Sequence, residues 1–146
     1  MEAGVSLTEA IREAFDCGGQ DLRTYSPLAL AFVGDCIYDL IVRTVVTERG
    51  NTAPATLHKR KSQVVRASAQ AAQAEALLPE LTQEELAVYK RGRNAHSHTS
   101  AKNASIGDYR KATGLEALCG FLYLTERTDR LLYLIRRGLE LTGQTL

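Results

Sequence analysis

Along nearly every long segment, apolar residues recur at spacings of three and four, with no sustained alternation, so the pattern predicts helices and no strands. Ser6 and Glu9 have the spacing of a capping box and open a short first helix that breaks at Cys17, Gly18 and Gly19. Ser26 and Pro27 supply an N-cap and first-turn pair for a long helix running to about Arg49, stopped by Gly50. Pro54 opens a third stretch, and Leu78 and Pro79 end the alanine-rich helix that follows. Thr82 and Glu85 start another helix, ending near Gly92, and residues 92–107 read as a polar loop. An apolar helix resumes from about Asp108 to Thr125. Thr128 or Asp129 then caps a final amphipathic helix that ends at Gly143. Six or seven helices result, an all-α fold.

Two of these segments, 28–42 and 112–124, are apolar nearly all round, which predicts burial on most sides. Each carries an acid where an apolar residue belongs, Asp35 in the first and Glu116 in the second. An ionised carboxylate in such a place costs several kcal/mol unless it is paired, hydrogen-bonded or bound to a metal. Gly34 precedes Asp35, and Gly114 and Gly120 flank Glu116, so the two backbones can approach closely. If the helices cross there, both carboxylates face one small space. Two oxygen ligands from rigid helices, with open positions left to water, is how Mg²⁺ is held beside a phosphate. The alternative pairs each acid with a buried Arg or a helix N-terminus, and structural ion pairs are the commoner outcome at such positions. Asp39, one turn after Asp35, is a possible third ligand, with exposure at the helix edge the favoured expectation.

Composition narrows the setting. At 146 residues, 45% hydrophobic and 24% charged, the chain fits one domain spanning 1–146, and its net charge of +1 excludes a disordered chain or a polycation. No apolar run reaches the length of a membrane span, and Met1 to Ser6 lacks the basic start of a secretory signal, so a cytoplasmic protein is expected. Cys17, Cys36 and Cys119 are widely spaced and form no CxxC pair, which predicts reduced, buried thiols rather than a disulfide framework or zinc finger.

The near-zero net charge hides an uneven distribution. Residues 1–50 hold four Arg against eight acids, and residues 51–111 ten Lys and Arg against five. Residues 90–111 alone hold six against one, the footprint of phosphate contacts and equally of a solvated loop. Lys90, Arg91, Arg93, Asn94, Lys102, Asn103 and Arg110 are the candidate phosphate and sugar contacts, since Arg offers forked donors and Asn reaches sugar and phosphate oxygens. His58, Lys59, Arg60 and Lys61 form a second basic cluster that either extends this surface or is a solvated helix face. His96 and His98 lack a third ligand at zinc spacing. Tyr25, Tyr38, Tyr109 and Tyr123 read as core or edge packing. No phosphate-binding Gly-rich loop is present, and a serine nucleophile has no support.

The stretch Leu30-Ala-Phe-Val-Gly-Asp35 resembles the signature helix of the ribonuclease III family, and Leu115-Glu-Ala-Leu-Cys-Gly120 resembles that family's second catalytic motif. Tyr25-Ser-Pro-Leu-Ala-Leu, Arg91-Gly-Arg-Asn-Ala95 and Tyr109-Arg are similar to the short class called Mini-ribonuclease III. The likeness covers about residues 24–135, with 1–23 as a family-variable N-terminal extension. It implies an all-helical endonuclease domain that dimerises through its signature helices and cuts double-stranded RNA with a divalent metal. Mg²⁺ is the expected ion and Mn²⁺ a substitute. By position, Asp35 is the catalytic metal ligand and Glu116 its partner, and the implied substrate is the large-subunit ribosomal RNA precursor. Longer family members carry further carboxylates where this chain has Ala31 and Thr113, a reduction that Mini-ribonuclease III shares.

One small domain offers little surface to A-form RNA, whereas a two-fold homodimer presents two acidic centres and two basic loops. The apolar face around Phe32 and Val33 is the expected contact, with a place in the chain's own core as the alternative. Two competing functions stand beside the enzyme: an inactive RNA-binding module that kept the fold, and a helical interaction domain whose acids are structural.

Overall fold

The computed structural model describes residues 6–95 and 105–146. Every regular element among them is helical. The α-helices are α1 (Leu7–Phe15), α2 (Pro27–Arg49), α3 (Pro54–Val65), α4 (Ala67–Leu77), α5 (Gln83–Asn94), α6 (Ile106–Leu124) and α7 (Thr128–Leu141). Short 3₁₀ turns at Leu22–Thr24 and Leu78–Glu80 join α1 to α2 and α4 to α5.

The starts follow local chemistry. Ser6 Oγ accepts from Glu9 N, and Ser26 Oγ from Leu28 N ahead of Pro27. The capping box at Thr82 and Glu85 is complete in both directions. Ser105 Oγ accepts from Asp108 N, which moves the start of α6 back to Ile106. Helix α5 likewise runs two residues past Gly92, to Asn94, so the predicted polar loop is shorter than 92–107 at both ends. Residues 96–104, with His96, His98, Lys102 and Asn103, lie outside the described residues.

Thr128 is the first residue of α7, and neither it nor Asp129 caps that helix. The turn before it explains why. Helix α6 closes with Glu126 at φ 59° while Arg127 N donates back to Leu122 O, a Schellman-type ending that consumes residues 125–127.

Helix α6 is the central post. It is buried from Ala112 to Leu122 except at Glu116, and α2, α4 and α5 pack around it. Helix α3 lies on α2, and α7 on α4. Small residues at Ala112, Gly114, Ala117 and Gly120 let three helices reach one axis. A buried polar chain runs through this core. Tyr38 donates to Gln73 Oε1, and Gln73 Nε2 donates to Val64 O at 3.2 Å and Gln144 Oε1 at 2.9 Å.

Helix α2 corrects one expectation. Its apolar character all round does not mean burial all round, since only Leu30, Ala31, Gly34, Tyr38, Val42 and Val46 are buried. Phe32 is 82% exposed, and Leu28 and Leu40 are exposed on the same outward side. The thiols correct another: Cys119 is buried as expected, but Cys17 and Cys36 are exposed. Of the four tyrosines, Tyr38 lies in the core and Tyr25, Tyr109 and Tyr123 are half-buried.

Candidate active site

The site is built on the crossing of α2 and α6. A Cβ placed on Gly34 would lie 1.6 Å from Glu116 O, and one on Gly120 would lie 1.9 Å from Leu30 O. Since Leu30 meets Gly120 and Gly34 meets Glu116, the helices run antiparallel with their backbones in direct contact. Residues 35 and 116 are thereby brought side by side. Glu116 is pushed up to about 9, first by burial and then by hydrogen bonding to Asp35 and by the charge of that neighbour.

Asp35 differs from expectation in being exposed, whereas Glu116 is half-buried. The pair therefore has one half-buried member, Glu116, and one solvent-facing member, Asp35. Among the described residues neither acid forms an ion pair with Lys, Arg or His. That disposes of the buried-arginine alternative for this pair. Two acids forced together, one of them held protonated by burial and by the other, fit a bound divalent ion, which would let both ionise. Among the described residues no group of three or more His, Cys, Asp and Glu side chains gathers to hold a metal. Among the described residues the two carboxylates are thus the only oxygen ligands the crossing offers, with the other positions open to water and phosphate.

Ala31 and Thr113 account for the reduced count. Both are buried, and Thr113 Oγ1 donates to Tyr109 O at 2.9 Å instead of facing the cleft. Asp39 is half-buried rather than exposed, and it is paired with Arg43 at 2.7 Å and Lys61 at 3.2 Å. Beneath Glu116 lie Cys119 and Tyr38, whose thiol and phenol are both driven upward chiefly by burial. The sequence marks both only as packing residues, a buried thiol and a core or edge tyrosine; the polar Gln73 inside the alanine-rich helix is the signal that a buried hydrogen-bonded partner exists.

The cationic candidates divide. Gly92 sits against α6, where a Cβ would meet Ala117 Cβ at 2.7 Å and Gly114 Cα at 3.0 Å, so the last turn of α5 rests on the stretch of α6 that carries Glu116. Lys90 and Asn94 are exposed on that turn, and Arg93 stacks over the Tyr89 ring with its guanidinium 5.7 Å from the centroid. Arg110 is exposed on α6. Among the described residues Lys90, Arg93 and Arg110 form no ion pair. Arg91 is engaged elsewhere, donating to Arg23 O at 3.2 Å and Tyr25 O at 2.7 Å. It ties α5 to the segment that launches α2. Lys102 and Asn103 fall outside the described residues. In the second cluster His58, Lys59 and Arg60 are exposed, while Lys61 is held by Asp39.

Comparison with known proteins gives consistent results. The family described as Ribonuclease III domain matches residues 28–127. A Mini-ribonuclease 3 from Enterococcus faecalis is 45% identical over 128 residues, covering 86% of this chain and 97% of that protein. One from Clostridium tetani is 46% identical over 113 residues, covering 77% and 75%. The crystal structure of a Fusobacterium nucleatum protein superposes with a TM-score of 0.75 at 29% identity, covering 84% of this chain and 98% of that one.

Proposed function

The chain belongs to the ribonuclease III family and is an endoribonuclease, and from that premise we propose that it hydrolyses double-stranded RNA with a divalent cation held between Asp35 and Glu116. The observation that carries this reading is the pair itself. Two carboxyls meet at a glycine-lined helix crossing, and Glu116 is unable to ionise in the ordinary acid range, with no Lys or Arg among the described residues paired to it.

Bound Mg²⁺, or Mn²⁺ in its place, would supply Lewis-acid activation of the attacking water and offset charge on the phosphate oxygens. The chain's own residues do the rest. The rigid crossing fixes both carboxylates without cost at the moment of reaction. Lys90, Arg93, Asn94 and Arg110, with Lys102 and Asn103, hold backbone phosphates and sugars and so set the register of the duplex. Hydrolysis places a water oxygen on phosphorus and breaks the bond to the 3′ oxygen, leaving 5′-phosphate and 3′-hydroxyl ends.

Double-stranded RNA spans more than one small domain, so the working unit is a homodimer joined through the outward face of α2 around Phe32 and Val33. Phe32 is uncovered and Val33 half-buried, which supports this contact over a place in the chain's own core. On this reading the substrate is the large-subunit ribosomal RNA precursor and the enzyme works in the cytoplasm. No helix among the described residues is long and apolar enough to cross a membrane.

The replacement of two family carboxylates by Ala31 and Thr113 favours a second reading, an RNA-binding module without activity. Purified protein incubated with double-stranded RNA and Mg²⁺ separates the two. Cleavage that Asp35→Asn abolishes supports the enzyme, and intact RNA with retained binding supports the module.

A further inference from the structure

Helix α1 is docked the wrong way round for a monomer. Its apolar residues Leu7, Ile11 and Phe15 recur every four positions and form one stripe. That stripe points outward, with Leu7 52%, Ile11 40% and Phe15 78% exposed. The side turned to the body is the polar one. Thr8 is buried, Arg12 donates to Leu124 O and pairs with Glu126 at 3.4 Å, and Ser6 Oγ donates to Glu126 Oε1 at 2.6 Å. An amphipathic helix free to roll would bury its apolar stripe against its own domain. Here the polar bonds to the α6–α7 turn hold the stripe out.

We propose that the stripe of α1 is an interface element, and that its occupant is a second copy of this chain. The inference rests on the homodimer reading above and adds a region to it. Location supplies the first argument. Arg12 grips the C-terminal end of α6, and because α6 runs antiparallel to α2 with Gly120 against Leu30, that end lies beside the first turns of α2. Leu28 and Phe32 are exposed on those turns, so α1 adds apolar surface at the same end of the molecule as the outward face of α2.

Area supplies the second. A stable pair buries about 800 Å² on each partner, and a large aromatic side chain contributes roughly 150–250 Å². Leu28, Phe32 and Leu40 on one helix fall short of that area; Leu7, Ile11 and Phe15 double the number of large apolar side chains offered. Helix α1 also precedes residues 28–127, so it adds to the family domain without altering the catalytic crossing.

The test is sedimentation equilibrium on the full chain and on Ile11→Asp/Phe15→Asp. These changes sit on solvent-facing positions, and circular dichroism confirms retained helix content. The expected result is a dimeric parent and at least a tenfold higher dissociation constant for the variant. A dimer of unchanged strength overturns the proposal and leaves the α2 interface standing, whereas a parent that is monomeric at tens of micromolar overturns both. A photo-crosslinking amino acid at position 15 gives an independent readout. Products of twice the chain mass support the assignment, and crosslinks confined to one chain refute it.

Discussion

Gly34, the residue before Asp35, lies so close to Glu116 that a single methyl group on it would fall 1.6 Å from the Glu116 carbonyl oxygen. The distance between α2 and α6, and hence the meeting of Asp35 with Glu116, is set by the absence of that methyl. Gly120 performs the same service on the other helix, against Leu30.

Gly34→Ala and Gly120→Ala must therefore push the helices apart. Overpacking of this kind costs about 3 kcal/mol or more, because the obstructing atom is backbone and cannot rotate away. Gly107→Ala is the control: its nearest neighbour would be Ser105 Oγ at 4.0 Å, and a helical Gly→Ala change gains up to about 1 kcal/mol. Urea unfolding of the three variants measures the contrast.

Neutralising the acids should separate chemistry from folding. Asp35→Asn and Glu116→Gln are expected to lower cleavage by roughly 100-fold or more while leaving the thermal midpoint in EDTA unchanged or raised, since the metal-free site already favours a neutral Glu116 and neither acid loses an ion pair formed among the described residues. Unfolding of either variant would show instead that the carboxylates are structural.

The same pair predicts a pH dependence with a definite sign. Unfolded, Glu116 titrates near ~4.3; folded and metal-free, it is pushed up to about 9. The folded state holds a proton that the unfolded chain releases, so this stability is complete below ~4.3 and is lost as pH rises through about 9. In EDTA the thermal midpoint of the parent should fall relative to Glu116→Gln across that window, and Mg²⁺ should narrow the gap. A gap that shrinks with rising pH would contradict the assignment.

Among the cations, Arg91 should behave unlike its neighbours. Its guanidinium is spent on two carbonyls, so Arg91→Ala is expected to lower the midpoint of unfolding and leave the salt dependence of RNA binding intact. Lys90→Ala and Arg110→Ala should instead reduce the salt slope by about one each. Binding isotherms at several salt concentrations distinguish the two behaviours.

Helix starts were legible in the sequence because each depends on a few adjacent residues: Ser26 with Pro27, and Thr82 with Glu85, act where they stand. The end of α6 was less legible, since Glu126 takes a left-handed conformation that its residue type does not advertise and Ser6 and Arg12 reach it from over a hundred positions away. Asp35 and Glu116 stood out as acids in apolar surroundings, and their glycines marked the close approach. What periodicity could not distinguish was burial by the chain itself from a face left uncovered, hence the misplacement of Asp35 and Cys36. Charge runs likewise do not reveal which cation is engaged: Arg91 and Arg93 are two residues apart, yet one clasps backbone and the other stacks on Tyr89.

The placement of the three thiols turns the chain into its own reporter. Cys36 lies on the outward face of α2, Cys17 just beyond α1, and Cys119 inside the core. Brief alkylation followed by mass spectrometry would therefore read three layers in one sample. Cys119 scores global opening, and Cys36 becomes slow to modify when a neighbour covers α2. With Cys17 as a further timer, dilution should accelerate Cys36 long before Cys119 responds, yielding an association curve without a label ever being introduced.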